Sequence, residues 1–232
     1  MIYYFQTHLQ YVAVLCGLII AFPIVWRHRE RIGVKHPIPV LGICVYFLFA
    51  SLISAWAFAF LEARISGFAW RVGSISVLGE YLICPLLLLA FAAICRLKKK
   101  GLFDSFAICA VITLVFMRIN CIRAGCCYGV LIPGTEFRYP VREIEIVFYI
   151  LMFIWFIYKE RKGYAEGTFF PFLMMTYGIL RFILEWFRDA YAPYPFHLHL
   201  AHIWAIMAAV IGAVIYFMMI KKSGRNLPEE EA

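Results

Sequence analysis

Charged residues are scarce in this chain: only 16% of its 232 residues are Asp, Glu, Lys or Arg, whereas 64% are hydrophobic. A soluble domain of this length has no core large enough to bury so much apolar surface. The apolar residues form interrupted runs of about 20 residues, which favour membrane-spanning helices over barrel strands. The sequence therefore predicts an all-α, polytopic membrane protein.

A signal-peptide cleavage site is also lacking, since no small-residue motif follows the first apolar run, and this run is expected to stay as a span. We detect no polar domain, low-complexity linker or internal repeat. The chain is predicted to be a single integral-membrane domain over residues 1–232, with residues 224–232 a disordered cytoplasmic tail. About seven spans are expected, near residues 8–26, 38–62, 73–95, 102–119, 143–158, 168–187 and 199–220.

Lysine is absent from every second connector between the predicted spans. The eight lysines all fall in the other connectors and the tail, at positions 35, 98, 99, 100, 159, 162, 221 and 222. By the positive-inside rule, the N-terminus is expected outside and the C-terminus in the cytoplasm. Membrane orientation therefore accounts for the +8 formal charge, and no nucleic-acid partner is expected. The outer connectors contain arginine but no lysine, which favours binding of an anion at a fixed place, because the guanidinium group offers a rigid fork of N–H donors. The alternative is that a few residues are distributed in this way by chance.

The outer connector after the fourth predicted span is rich in polar and reactive residues. It reads Arg118-Ile-Asn-Cys-Ile-Arg-Ala-Gly-Cys-Cys-Tyr-Gly129. An arginine at the end of an apolar span is costly unless it meets an anion or a carboxylate, which predicts a partner for Arg118. The alternative is a loop that leaves the membrane with a snorkelling arginine.

The sixth predicted span carries a polar stripe. Four side chains recur at intervals of four, four and three residues, which places them on one helix face: Tyr177, Arg181, Glu185 and Arg188. Such a stripe is expected to face the bundle interior or a wet cavity. Either Arg181 binds an anionic head group and Glu185 holds it in place, or the two form an ion pair that only fixes helix packing.

Glu80 is an acid well inside the third predicted span. A carboxyl group at that depth is expected to be paired or protonated. It is interpreted either as a counter-charge for Arg118 or Arg181, or as a general base.

Three cysteines near the outer face, Cys121, Cys126 and Cys127, differ from those inside the spans. Their spacing fits neither a Cys-x-x-Cys redox motif nor a paired zinc motif, so no metal or other cofactor is expected. The histidines that could complete a metal site are distant in sequence: His197, His199 and His202. A disulfide within the loop and a thiol-redox role for Cys126 and Cys127 both stay open.

Taken together, these motifs resemble the prolipoprotein diacylglyceryl transferase family. The Arg118–Gly129 stretch is similar to the family's signature loop in a cysteine-containing form. Two further segments agree in order, Tyr139-Pro-Val-Arg-Glu-Ile-Glu145 and Tyr177-Gly-Ile-Leu-Arg-Phe-Ile-Leu-Glu-Trp-Phe-Arg188. The resemblance, over roughly residues 70–220, implies transfer of diacylglyceryl from phosphatidylglycerol to a cysteine thiol of an exported prolipoprotein, with release of glycerol phosphate.

The resemblance also implies residue roles. Arg118 and Arg181 would hold the phosphate and stabilise the charge that grows on it as the carbon–oxygen bond breaks. The remaining substrate-binding candidates are Asn120, Cys121, Arg123, Gly129, Tyr177, Glu185 and Arg188. The expected partners are phosphatidylglycerol, or a similar anionic phospholipid, and a prolipoprotein signal segment. The expected location is a bacterial cell membrane, with the active site toward the outer face.

Several positions depart from the family pattern. Leu78 stands where the family has a histidine, and Cys121 stands where its signature loop has an asparagine. Tyr139 and Arg142 replace a histidine and a glutamine. We therefore expect Glu80, two residues after Leu78, to supply the missing base. The alternative is a protein that is not an enzyme: it would bind or move phospholipid with the same arginines and catalyse no reaction.

Overall fold

The fold of the chain is helical in a computed structural model, which describes residues 19–67, 75–188 and 200–224. In this part of the chain, residues 19–27 form α1. The other helices are α2 (Arg29–Ile32), α3 (Pro37–Ser66), α4 (Leu78–Leu82), α5 (Cys84–Ile94), α6 (Lys99–Ala124), α7 (Val141–Lys162), α8 (Phe169–Glu185) and α9 (Leu200–Gly224). The predicted all-α class is confirmed for these residues.

Three of the described helices are long and apolar enough to cross a membrane by length and composition. They are α3, the Lys99–Arg123 part of α6, and the Leu200–Ser223 part of α9. Helix α7 carries charged residues at both ends, and α8 has 17 residues. The count of seven spans and the orientation of the termini stay predictions. The first half of the predicted span 8–26 and residues 225–232 of the predicted tail lie outside the described residues.

The predicted third span, 73–95, is not one continuous helix. It is divided into α4 and α5 at Ile83. Pro85, in the first turn of α5, accounts for the division, because proline has no backbone N–H to donate to the carbonyl group four residues earlier. The correction matters for the site, since α4 carries Glu80 and packs against α3.

Helix α8 is fixed at its start and along its length. Asp104 of α6 is fully buried, and its carboxylate accepts hydrogen bonds from the backbone N–H groups of Gly167 (2.6 Å) and Phe169 (3.0 Å). Carboxylate acceptors suit the unpaired N–H groups of a helix start. Further along, a Cβ atom built on Gly178 would lie 2.6 Å from the Ala205 carbonyl oxygen of α9. Only glycine permits this close approach, which sets the polar face of α8 toward α6 and α7.

The lysine-rich connectors meet at one end of the bundle. The backbone N–H of Lys98 donates to the Ile32 carbonyl oxygen at 2.8 Å. The Arg31 guanidinium donates to the Tyr164 hydroxyl at 2.8 Å. These contacts join α2 to the connectors that follow α5 and α7. Lys99 begins α6, and Arg118 lies near its other end, so lysines and buried arginine are separated by most of that helix.

Candidate active site

The polar stripe of the sixth predicted span lies inside the protein. Tyr177, Arg181 and Glu185 of α8 are 1%, 8% and 4% exposed. Arg181 Nη2 lies 2.8 Å from Glu185 Oε2, which is the predicted pair. Arg188 differs from the prediction, because α8 ends at Glu185 and Arg188 lies in the turn beyond it. Its guanidinium still reaches to 3.8 Å from the Glu185 carboxylate.

Glu145 of α7 joins the two predicted phosphate-binding arginines. Arg118 Nη2 donates to Glu145 Oε1 at 2.7 Å, and Arg181 Nη1 lies 3.7 Å from the same oxygen. Glu145 has no exposed surface, and Arg118 is 3% exposed. Buried charges persist only when they are paired in this way. One carboxylate therefore holds together arginines from two helices that are far apart in sequence.

A cavity of about 320 Å³ opens beside these arginines. Its lining residues are Ala59, Glu62, Ile75, Ser76, Val77, Leu78, Arg118, Cys127, Tyr177, Arg181 and Arg188. Among the described residues, Nε of Arg118 and both Nε and Nη1 of Arg181 have no hydrogen-bond partner. Buried donors of this kind are normally hydrogen-bonded, so these guanidinium groups are short of acceptors.

Three stacked tyrosines lie next to the cavity, and one of them, Tyr177, lines it. The rings of Tyr81 and Tyr177 stack with centroids 4.3 Å apart, and Tyr149 follows at 6.2 Å from Tyr177. All three side chains are almost fully buried. They hold the α8 face rigid against α4 and α7, because stacked aromatic rings combine a large buried area with a defined geometry.

The signature-loop candidates are divided between the cavity and the surface. Gly129 is buried and pairs with Arg188 through an isolated β-bridge. A Cβ atom on Gly129 would lie 2.3 Å from the Tyr139 carbonyl oxygen, so a larger residue would displace this loop. Asn120 is half-buried and Arg123 is exposed. Neither belongs to the described residues that line the cavity, and their contact with substrate stays a prediction.

Glu80 lies on a different cavity. It lines a small space of about 40 Å³ together with Ser51 of α3 and apolar side chains of α6. Arg118 acts on it electrostatically, and Ser51 is its hydrogen-bond neighbour. Leu78, two residues earlier in the chain, lines the arginine cavity instead.

Sequence reasoning missed two carboxylates. Glu62 of α3 is half-buried, lines the arginine cavity and has Ser76 as a hydrogen-bond neighbour. It is a single acid near the end of an apolar span, and no local pattern links it to Arg181. Glu145 ends the second family-like motif, which was a usable signal for its role.

The three outer cysteines lie close together. Cys127 lines the cavity, and its pKa falls to about 5 because of a hydrogen bond with Cys121 and the nearby guanidinium groups of Arg188 and Arg118; burial opposes the shift. Burial raises the pKa of the neighbouring Cys126 thiol. Of the distant histidines, His197 and His199 lie outside the described residues. His202 is buried in α9 with its ring 4.9 Å from that of Trp186.

Fold and site together define a helical membrane protein with a buried arginine cavity. The chain belongs to the prolipoprotein diacylglyceryl transferase family, whose model matches residues 2–218. It is similar to "Phosphatidylglycerol--prolipoprotein diacylglyceryl transferase 2" of Clostridium perfringens, with 28% identity over 42% of this chain and 45% of that protein. It is also similar to "Phosphatidylglycerol--prolipoprotein diacylglyceryl transferase" of Clostridium tetani, with 29% identity over 32% of this chain and 35% of that protein. The chain thus matches less than half the length of each curated relative.

Proposed function

We propose that this protein transfers diacylglyceryl from phosphatidylglycerol, or a closely related anionic phospholipid, to a cysteine thiol of an exported prolipoprotein. The proposal follows from family membership and from the arginine cavity. The convergence of Arg118 and Arg181 on one buried carboxylate, with guanidinium donors left over, is the observation that carries it.

The charges of the cluster suit a phosphodiester. Three guanidinium groups, those of Arg118, Arg181 and Arg188, are matched by the two ion-paired carboxylates of Glu145 and Glu185. Rigid guanidinium forks of this kind match the oxygens of a phosphodiester in shape and charge. Because the guanidinium groups are held by buried carboxylates and a rigid helix face, they need no reorganisation as charge develops on the leaving phosphate.

The reaction is a displacement at carbon. The acceptor sulfur attacks the terminal glycerol carbon of the diacylglyceryl group, and a carbon–sulfur bond forms. The carbon–oxygen bond to the phosphate breaks, and its electron pair leaves with glycerol phosphate. The acceptor thiol must lose its proton for this attack, since the thiolate is the nucleophile.

Glu62 is the carboxylate best placed to take this proton. It lies on the cavity wall with Arg118 and Arg181, whereas Glu80 lines a separate small space. We therefore propose Glu62 as the base and Glu80 as a structural counter-charge for Arg118. This proposal departs from the expectation that Glu80 supplies the base and adopts the counter-charge, the other interpretation that the sequence left open.

Glutamine variants separate the two carboxylates. Glu62→Gln is expected to lower turnover by roughly 10²–10⁴-fold, the usual contribution of a general base, with phosphatidylglycerol binding retained. Glu80→Gln keeps the shape of the side chain and removes its charge, so turnover should change only in step with stability. Turnover and lipid binding are measured on the same purified samples. Normal turnover in Glu62→Gln with loss in Glu80→Gln would reverse the assignment.

Thiol dependence distinguishes transfer from mere lipid binding. The purified protein is given phosphatidylglycerol with and without a cysteine peptide that carries a lipobox, and released glycerol phosphate is measured. Release that requires the thiol supports the transferase. Lipid binding without release under either condition supports the non-catalytic lipid-binding or lipid-moving alternative. A thiol-redox protein would instead change the oxidation state of the peptide and release no glycerol phosphate.

The proposed membrane location places the arginine cavity toward the outer face. The lysine connectors, joined at the opposite end of the bundle, support this orientation, as does the positive-inside rule. On this basis the C-terminus is cytoplasmic and the N-terminus external, in a cell membrane crossed about seven times.

Cysteine labelling of intact cells tests the orientation. In a background with Cys95, Cys121, Cys126 and Cys127 changed to serine, an impermeant maleimide should label Glu136→Cys, on the exposed loop before α7. The same reagent should leave Lys99→Cys unlabelled until the cells are opened. Labelling of position 99 but not position 136 in intact cells would contradict the orientation.

A further inference from the structure

Three thiols from one short stretch converge at the end of α6. The Sγ atoms of Cys121, Cys126 and Cys127 all lie within 4.8 Å of one another. The helix ends at Ala124, and Gly125 takes a left-handed conformation with φ of 62°. The backbone N–H of Cys126 then donates to the Cys121 carbonyl oxygen at 3.1 Å. This helix-ending turn folds the vicinal cysteines back onto Cys121.

A second element holds this turn in place. The Arg142 guanidinium of α7 donates to the carbonyl oxygens of Cys121 (3.4 Å) and Cys126 (3.2 Å). It also lies 4.4 Å from the centre of the Tyr128 ring. Cys127 itself has a positive φ of 59°, a conformation that is strained for a residue other than glycine. The cluster is therefore shaped by the surrounding fold and not by local preference.

We propose that Cys121, Cys126 and Cys127 bind a thiophilic divalent cation of the zinc type, with its fourth position open to the arginine cavity. Zinc–sulfur bonds of about 2.3 Å in a tetrahedron place ligand sulfurs about 3.8 Å apart. The observed spacing needs only a small contraction by side-chain rotation. Cys127 lines the cavity, so the cluster and the proposed lipid site share a wall.

The charges near the cluster are compatible with this ligand set. Three thiolates around a divalent cation carry a net charge of −1. The guanidinium groups of Arg118 and Arg188 act electrostatically on Cys127 and would offset this charge. Three protein ligands with one open position are typical of catalytic zinc sites, whereas structural sites use four.

The open position suggests a role that rests on the proposed function. The acceptor cysteine would bind the cation through sulfur and lose its proton to Glu62. The bound thiolate would form the carbon–sulfur bond as the carbon–oxygen bond breaks toward the phosphate. The cation activates a nucleophile and changes no oxidation state, so no oxidant or reductant is required. This chemistry would replace the histidine that is missing at Leu78.

Cobalt(II) is a suitable spectroscopic probe, because tetrahedral thiolate ligation gives it a charge-transfer absorption band. The protein is purified reduced and without oxygen, and it is titrated with cobalt in the absence of lipid. We expect one cobalt per chain, displaced by zinc. Cys126→Ser and Cys127→Ser should each lose most of the band. Cys95→Ser, which removes an exposed thiol outside the cluster, should keep it.

The cobalt titration tests the metal site without any measurement of lipid turnover. No thiolate-to-cobalt band in the folded, reduced wild type would overturn the proposal. An equal band in the triple serine variant would overturn it as well, as would a disulfide within the cluster that persists under reducing conditions in the mass spectrum. A normal cobalt band with no transfer activity would leave the metal site standing and count against the proposed function alone.

Discussion

Glu145→Ala is expected to destabilise the protein more than any other single carboxylate change in the site. Glu145 is fully buried and serves both Arg118 and Arg181. Its removal leaves two buried guanidinium groups short of negative charge, and breaking a buried pair in this way costs about 3–5 kcal/mol. For a chain of this size, that corresponds to a fall of roughly 10 °C in the apparent melting temperature.

The matched control is Glu143→Ala, on the same helix two residues earlier. The Glu143 side chain is 46% exposed and lies 3.6 Å from Arg142, so its removal should change stability little. Melting is followed in detergent by scanning fluorimetry, and lipid turnover is measured on the fraction that stays folded. Equal melting temperatures for the two variants would show that Glu145 does not hold the arginines together.

Arg118→Lys and Arg181→Lys are expected to remove most activity while the positive charge is kept. Lysine cannot present two parallel N–H groups to a phosphate, and its ammonium group is more strongly hydrated. Loss of one preorganised donor to a developing oxyanion lowers turnover by roughly 10²–10³-fold. Each change also weakens the contact with Glu145 or Glu185, so stability must be measured beside turnover.

Arg123→Lys is the control for this pair. It lies on the same helix as Arg118 but is exposed and does not belong to the described cavity lining. Its turnover should equal that of the unchanged protein within about two-fold, as is usual for an exposed position. The arginine cavity would be excluded as the phosphate site if both lysine variants turned over lipid normally, or if Arg123→Lys lost as much activity as they did.

The parts of the fold that follow from helical period and hydropathy could be predicted. The four-residue spacing of Tyr177, Arg181 and Glu185 fixes one face of α8, whatever surrounds it. Apolar runs likewise predict where α3, α6 and α9 lie. The end of α8 before Arg188 was missed, because the 4-4-3 spacing alone does not show where a helix stops.

The parts of the site that depend on tertiary contacts could not be predicted. Glu62 reaches the cavity only because α3 packs beside α4, and its sequence neighbours carry no trace of that contact. The three-thiol cluster arises from a left-handed turn at Gly125 and two bonds from Arg142. Spacing rules describe linear motifs and do not detect such a turn. Glu80 lies two residues after Leu78, yet it lines a separate small space. Adjacency in sequence does not place two side chains of a short helix on the same cavity.

Intact-mass spectrometry of the acceptor peptide tests the central claim most directly. The purified protein is incubated with phosphatidylglycerol and a lipobox peptide that contains one cysteine, with an alanine peptide as control. The account predicts that the cysteine peptide alone gains the mass of one diacylglyceryl group, and that an Arg118→Lys, Arg181→Lys double variant produces none of this adduct. Folded protein that leaves the cysteine peptide unchanged, or a double variant that modifies it as fast as the unchanged protein, would contradict the account.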